Sequence, residues 1–249
     1  MKFAIVCPRP SASAAVLRRS LPSCRRVSLS RLDRVIRKYE RVIFWGNCGP
    51  VTYSDKILNI DTHLATDKRE FFIRTGNAED RPPYWLDKEE AAAWLREKEG
   101  RIVFARTKLT SHSGDGIVVC RTPDDLPDAK LYTAYIRKKA EYRIHVNTWS
   151  DNFFVQQKRK RNGASEEDYS ALIRSYHHGW VYCSDNVDPV TTDMVHMAQR
   201  AVRNCGLDFG AVDLIVSKKD RLYVLEVNTA PALSAPSTKE FYVGQFNLL

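Results

Sequence analysis

Apolar residues recur along this chain in two rhythms, and each predicts a different kind of element. Short runs at 2–7, 41–45, 101–105, 117–120, 131–136 and 152–157 predict strands. Residues 141–149, EYRIHVNTW, alternate: Tyr142, Ile144 and Val146 share one face, and Glu141, Arg143, His145 and Asn147 share the other. One face of that strand is therefore apolar and the other chemically capable. Helices are predicted over 14–21, 29–39, 67–76, 86–98 and 191–205. The last carries Met194, Val195, Ala198, Ala201, Val202 and Cys205 at helical spacing before Gly206. A short helix is expected over 168–175, after a polar loop at 161–167.

The pattern is most informative near the C-terminus. Residues 211–216 and 222–227 are apolar runs around the polar turn Lys218-Lys219-Asp220-Arg221, the pattern of a buried antiparallel hairpin. Asp213 interrupts the first run, and Glu226 and Asn228 the second. Glu226 and Asn228 share a face because side chains alternate, and a four-residue turn sets Asp213 across from Glu226. Facing buried carboxylates repel, so a positive group between them is needed. Oxygen-only donors suit magnesium, whose coordination is completed by water and substrate phosphates. An ordinary hairpin with its polar residues in water is the competing reading.

Strand, helix and strand in the first 45 residues indicate a βαβ unit with an open crevice at its strand ends. Farther on, Ser111, Ser113, Gly114 and Gly116 lie in a loop between strands 101–105 and 117–120. Small residues there let backbone N–H groups approach a phosphate, although a plain glycine-containing hairpin has the same pattern. His145 reads as a hydrogen-bonded strand histidine rather than a ligand or base. His177-His178 would point to opposite faces of a strand, which argues against zinc.

Composition adds a charge of +9 over 249 residues, unevenly placed. Nine Lys or Arg crowd residues 18–41, and Lys158-Arg159-Lys160-Arg161 forms a second run. Such charge suits an anionic partner, an anionic macromolecule included, or else a solvated basic face. Cys7, Cys24, Cys48, Cys120, Cys183 and Cys205 lack metal-type pairing, which suggests free thiols and a cytoplasmic location. No apolar run reaches the roughly 20 residues of a membrane span. The first 32 residues are rich in Arg and Ser and hold no acid, as in transit peptides, but 3–7 reads as a core strand.

Taken in order, these segments resemble the ATP-grasp superfamily of carboxylate–amine ligases, the fold class of D-alanine–D-alanine ligase, glutathione synthetase and the ribosomal-protein glutamate ligases. Asp67-Lys68 looks like its first ATP-lysine motif, and RTKLTSHSGDGIVV its strand–Gly-loop–strand over the phosphates. There Arg106 stands nearest the family's second lysine, with Lys108 as competitor. Thr133-Ala134-Tyr135-Ile136 resembles the hinge that binds adenine through its backbone. Glu141-Tyr142-Arg143 is similar to an acidic–x–Arg motif, and Arg174-Ser175-Tyr176-His177-His178-Gly179 to an Arg-Ser-Asn-x-x-Gly segment, with Tyr176 in place of the asparagine. Asp213, Glu226 and Asn228 match the superfamily's magnesium ligands.

The resemblance implies an α+β ATP-grasp fold, antiparallel sheets with packed helices behind a small N-terminal α/β subdomain, divided at 1–65, 66–136 and 137–249. It implies ATP, one or two Mg2+ ions, and amide-bond formation between a carboxylate and an amine, an amino acid or polypeptide among them, through an acylphosphate. Lys68, Arg106 and the backbone of Ser113, Gly114 and Gly116 would hold phosphate, and Arg143 and Arg174 would stabilise the transferred phosphoryl group. Amine deprotonation would fall to the substrate or to His177 or His178. Two competing readings are a catalytically silent nucleotide- or nucleic-acid-binding protein on the same scaffold, and a ligase acting on a protein tail or nucleic acid.

Overall fold

The computed structural model describes residues 1–8, 10–52, 54–74, 76–110, 114–167 and 169–249, and only the backbone of Ala78. The N-terminal region contains β1 (Phe3–Val6), α1 (Ala12–Ser20), β2 (Arg25–Arg26), α2 (Leu29–Val35), β3 (Arg41–Phe44) and β4 (Ile57–Leu58). All four strands are parallel, in the order β2-β1-β3-β4. Both faces of β1 and β3 are covered, which is why they read as unbroken apolar runs. Phe3, Ile5 and Ile43 pack with α1, while Ala4, Val6, Val42 and Phe44 pack with α2. Ser11 starts α1 by accepting from the Ala14 N–H at 3.2 Å.

The middle of the chain holds α3 (His63–Thr66), α4 (Lys68–Arg74), β5 (Tyr84–Trp85), α5 (Lys88–Arg96), β6 (Val103–Arg106), β7 (Ile117–Cys120) and β8 (Tyr132–Ala134). Asp87 caps α5, accepting from the Glu89 and Glu90 N–H groups at 2.8 and 3.1 Å. The sheet β5-β8-β6-β7 is antiparallel and covers Ala91, Ala92 and Leu95 of α5.

The last third contains β9 (Lys138–Asn147), β10 (Phe154–Lys160), β11 (Trp180–Cys183), α6 (Thr192–Asn204), β12 (Phe209–Ser217), β13 (Leu222–Asn228) and α7 (Pro236–Phe246). Its strands form one antiparallel sheet ordered β11-β10-β9-β12-β13. One face buries Tyr142, Ile144 and Val146 with Val212, Leu214, Val224 and Val227 against the methionine-bearing stripe of α6. Helix α7 leaves this unit and packs Tyr242 and Phe246 among Phe3, Ile5, Trp45 and Phe209, joining the sheet to the N-terminal region.

Several expectations change. The strand expected over 141–149 begins earlier, at Lys138, and Lys138 pairs with Glu141 three residues along. No helix occupies 169–175, the described part of the expected 168–175 helix. The chain turns there instead, and His177 and His178 lie in a 3-10 turn at 176–178, not on a strand. The helix expected to 39 ends at Val35 and continues as 3-10 structure through Lys38. The pattern gave no sign of β2, β4, β5 and β11, of two to four residues each, or of α7. Among the described residues no helix is long and apolar enough to cross a membrane.

Candidate active site

The polar face of the five-stranded sheet, the inner face of β6–β8 and the 172–176 segment enclose a cavity of about 600 Å³. Its floor is set by register. Across the ladder Gln156 of β10 stands opposite Arg143 of β9, Arg143 opposite Asp213 of β12, and Asp213 opposite Glu226 of β13. In the next row His145 stands opposite Ala211, and Ala211 opposite Asn228. Four polar side chains thus form one line across four strands, with Asn228 beside its end.

The Asp213–Glu226 pairing arises differently from the simple turn arithmetic. The last directly paired residues before the turn are Val216 and Leu222, so the connection is one residue longer than four. A β-bulge between Asp213 and Leu214 restores the count, leaving Leu225 extra on β13. Leu225 and Glu226 therefore both line the cavity, while Val224 and Val227 on either side stay in the core.

Each carboxylate is met by a cation. Arg143 donates from Nε and Nη2 to the two oxygens of Asp213 at 2.7 and 2.8 Å, and its guanidinium lies 4.1 Å from the Tyr182 ring centroid. Lys68 Nζ donates to Glu226 Oε2 at 3.0 Å. Burial works against the Glu226 carboxylate, yet Lys68, Arg143 and Arg106 hold it well below the usual range. Burial also opposes the Arg143 charge, and Asp213 outweighs it, so the guanidinium stays protonated. Asn228 directs its amide nitrogen to the Ala211 carbonyl at 3.3 Å and to Glu226 Oε1 at 3.4 Å, leaving its amide oxygen out of both bonds.

A second ionic cluster adjoins the first. Glu141, almost fully buried, accepts from Lys158 at 2.6 Å and Lys138 at 2.9 Å. Burial disfavours its charge, and the two lysines outweigh burial and hold its pKa below the ordinary carboxylate value. Lys158 also donates to the Arg174 carbonyl at 2.7 Å, so the 158–161 run is not a single basic face. Lys158 turns inward, Arg159 pairs outward with Asp188, and Lys160 and Arg161 lie against the Tyr169 and Tyr176 rings.

Most of the residues singled out from the sequence meet here. Lys68, Arg106, Gly114, Thr133, Ala134, Tyr135, Ile136, Arg143, Arg174, Asp213, Glu226 and Asn228 all line the cavity. Ser113 lies outside the described residues. Lys108 is not among the lining residues, although its ion-pair partner Asp115, at 2.8 Å, is, and Gly116 also lies outside the lining, its carbonyl accepting from Thr107 N–H at 2.9 Å. Between the two candidate cations, Arg106 is the one in the wall. Gly114 has a φ of +83° and sits so close to Ile173 that a Cβ would come within 2.6 Å of its Cγ2. The glycine loop therefore touches the 172–176 segment, and together they roof the cavity. His177 and His178 lie outside the lining residues, and His178 Nδ1 is 2.7 Å from Ser175 Oγ.

Sequence reasoning passed over Lys138, Lys158, Gln156, Tyr182 and Thr238. The alternation that selected Glu141 and Arg143 also marks Gln156 and Lys158 on β10, but a neutral amide and a lysine in a basic run raise no flag. The lining carries six Lys or Arg side chains against four Asp or Glu. Among the described residues no three His, Cys, Asp or Glu side chains cluster to hold a metal by themselves. Asp213, Glu226 and the Asn228 oxygen fit a hard divalent ion only if other oxygens complete its shell, as phosphates do. Buried Nε atoms of Arg106 and Arg174, without a partner among the described residues, add donors suited to an oxyanion. The residues present therefore fit a magnesium–polyphosphate group.

A parallel N-terminal sheet followed by two antiparallel sheets that bracket the cavity is the arrangement of the ATP-grasp fold, and solved structures of that fold superpose on it. The macrocyclase MdnC from Microcystis aeruginosa MRC, solved with the precursor peptide MdnA, superposes with a TM-score of 0.58 at 13% identity over 99% of this chain and 100% of that one. The ATP-grasp ligase PsnB, complexed with minimal precursor, Mg and ADP, gives 0.62 at 10% identity, covering 95% and 91%. D-alanine–D-alanine ligase from Bacillus anthracis gives 0.62 at 12%, covering 98% and 92%. No protein-family model and no curated protein sequence matches this chain.

Proposed function

We propose that this protein is an ATP- and magnesium-dependent ligase that joins a carboxylate to an amine, the acceptor and donor being amino acids or peptides. The observation that carries the reading is the Asp213–Glu226 pair, set face to face in a cavity whose walls hold more cations than anions. Asp213, Glu226 and Asn228 would hold the metal, which lends charge neutralisation to phosphoryl transfer. Lys68 and Arg106 would contact phosphate oxygens, and the backbone of the Gly114 loop would close over them. The backbone of Thr133 to Ile136, at and just after the end of β8, would hold the adenine. Arg143 and Arg174 would stabilise charge on the transferred phosphoryl group and on an acylphosphate, which the amine then attacks with release of phosphate. The similar structures, two solved with precursor peptides and one a D-alanine–D-alanine ligase, support an amino acid or peptide as substrate.

The test is product mass spectrometry with carboxylate and amine libraries, ATP and magnesium, beside ATP turnover in Glu226→Gln. A joined product and a loss of turnover of about 100-fold or more are expected, as for removal of one charged partner of a transition state. Unchanged magnesium-dependent turnover in the variant would exclude the site. Salt-sensitive nucleic-acid binding without turnover would favour the silent binding protein instead.

A further inference from the structure

Gln156 lies one strand beyond Arg143 on the cavity floor, on the side away from the metal carboxylates. With strands about 4.8 Å apart, it stands roughly 14 Å from the Glu226 position, at the far end of the polar row. It is 8% exposed and belongs to a buried chain of hydrogen bonds. The Tyr242 hydroxyl is 3.0 Å from His145 Nδ1, His145 Nε2 is 3.0 Å from Gln156 Oε1, and Gln156 Nε2 is 3.3 Å from Thr238 Oγ1.

Proton counting fixes the direction of this chain. Tyr242 is 1% exposed and has one hydrogen to place, and His145 Nδ1 is its partner among the described residues. A proton on Nδ1 would leave that hydroxyl hydrogen facing nothing, which is costly in a buried site. Tyr242 therefore donates to Nδ1, Nε2 carries the imidazole hydrogen and donates to the Gln156 oxygen, and the amide nitrogen faces Thr238 and the cavity. Burial holds His145 neutral, with its pKa pushed down to about 3, so the arrangement survives at neutral pH. One amide hydrogen goes to Thr238, and the second meets no protein acceptor among the described residues.

We propose that Gln156 determines specificity at the substrate end of the cavity, giving this N–H to an oxygen acceptor, carboxylate or amide carbonyl, of the amino acid or peptide bound beside Arg143. His145 and Tyr242 are positioning residues that keep the amide from rotating. The proposal rests on the ligase reading above.

The experiment titrates the free amino acids, and in a second arm their carboxamides, into the protein saturated with Mg·ADP, by calorimetry. For the tightest amino acid, Gln156→Leu should weaken binding by about tenfold or more, with Mg·ADP affinity held within about twofold. Gln156→Glu, nearly the same shape, should reject carboxylates more strongly than carboxamides, a reversal that a merely structural glutamine would not produce. His145→Leu should weaken amino-acid binding without changing which arm binds better. Equal binding by the wild type and both Gln156 variants overturns the proposal, as does loss of Mg·ADP affinity in step with the amino acid. Binding of Mg·ADP with no amino acid or carboxamide bound overturns it too. The ligase reading fails separately, on absent Mg·ADP binding or on unchanged turnover in Glu226→Gln.

Discussion

Asp213 and Glu226 stand directly opposite one another between β12 and β13, and each is held by its own cation, Arg143 at 2.7 Å and Lys68 at 3.0 Å. Removing Lys68 takes away the cation in direct contact with Glu226, whose side chain is 34% exposed and keeps only the electrostatic support of Arg143 and Arg106. Lys68→Met should therefore cost about 1 kcal/mol of folding stability without nucleotide, while Lys68→Met/Glu226→Gln recovers most of it. Denaturant titration of the single and double variants gives the coupling, and additive costs would contradict it.

The Gly114–Ile173 contact joins the glycine loop to the opposite wall. Gly114→Ala meets both a positive φ and the Ile173 methyl, so the loop should close less well, at a local cost of about 1–3 kcal/mol. Nucleotide affinity should fall accordingly. Adding Ile173→Ala should restore part of it, since the steric clash goes and the backbone strain stays. Full restoration would mean that φ contributes nothing.

Asn59 ties the N-terminal unit to the start of β12. Its N–H donates to Asp208 Oδ2 at 2.6 Å, its side-chain oxygen accepts from the Asp208 and Phe209 N–H groups at 2.8 and 3.2 Å, and its side-chain nitrogen donates to the Phe209 carbonyl at 3.1 Å. It also has a φ of +56°. Asn59→Ala loses the side-chain bonds and keeps the strained backbone, for roughly 2–4 kcal/mol, and Asn59→Gly should be about 1 kcal/mol less damaging. Thermal unfolding of the three proteins ranks them, and the reverse order of the two variants would refute the account.

His145 makes stability depend on pH. Burial pushes its imidazole down to about 3, against an ordinary value of 6.5. Between those values the unfolded chain binds a proton that the folded chain refuses, so this contribution is complete above about 6.5 and is lost as the pH falls, by up to about 1.4 kcal/mol per unit. Replacing His145 with Phe should flatten the slope of unfolding free energy between pH 6 and pH 4, a window set by the same two values. An unchanged slope would assign the dependence to other groups.

All six cysteines are free, and burial raises several of them. Cys24 is pushed up to about 11, and Cys48 and Cys205 to about 12. The thiolate is the reactive form, so iodoacetamide at neutral pH should label these three slowly in the folded protein and readily once it is unfolded. Peptide mapping after timed alkylation reads this directly.

Periodicity alone made much of the architecture legible. Where an element has one apolar face and length enough to repeat it, as in β9 with Tyr142, Ile144 and Val146 or α6 with Met194 to Val202, the burial requirement is written in the residues themselves. Strands of two residues, such as β2 and β4, contain no period to read, and α7 buries parts of several faces against two units, so its pattern blurs. The 168–175 segment has helical composition, but side chains of its described part, 169–175, are drawn to the cavity roof and to Trp180, which holds the Arg174 guanidinium 4.3 Å from its ring.

The sequence by itself determined that Asp213, Glu226 and Asn228 would share one polar face of a buried hairpin, because alternation along a strand is a local rule. It also marked Lys68, Arg106, Arg143 and Arg174 as candidates to meet them. Only the tertiary structure decided the bulge at Leu225, the choice of Arg106 over Lys108 for the wall, the inward turn of Lys158, and the place of Gln156 at the end of the row. Those outcomes depend on which strand lies beside which and on where a charge finds its partner. Such contacts join residues 17 to 158 positions apart, and no local pattern encodes them.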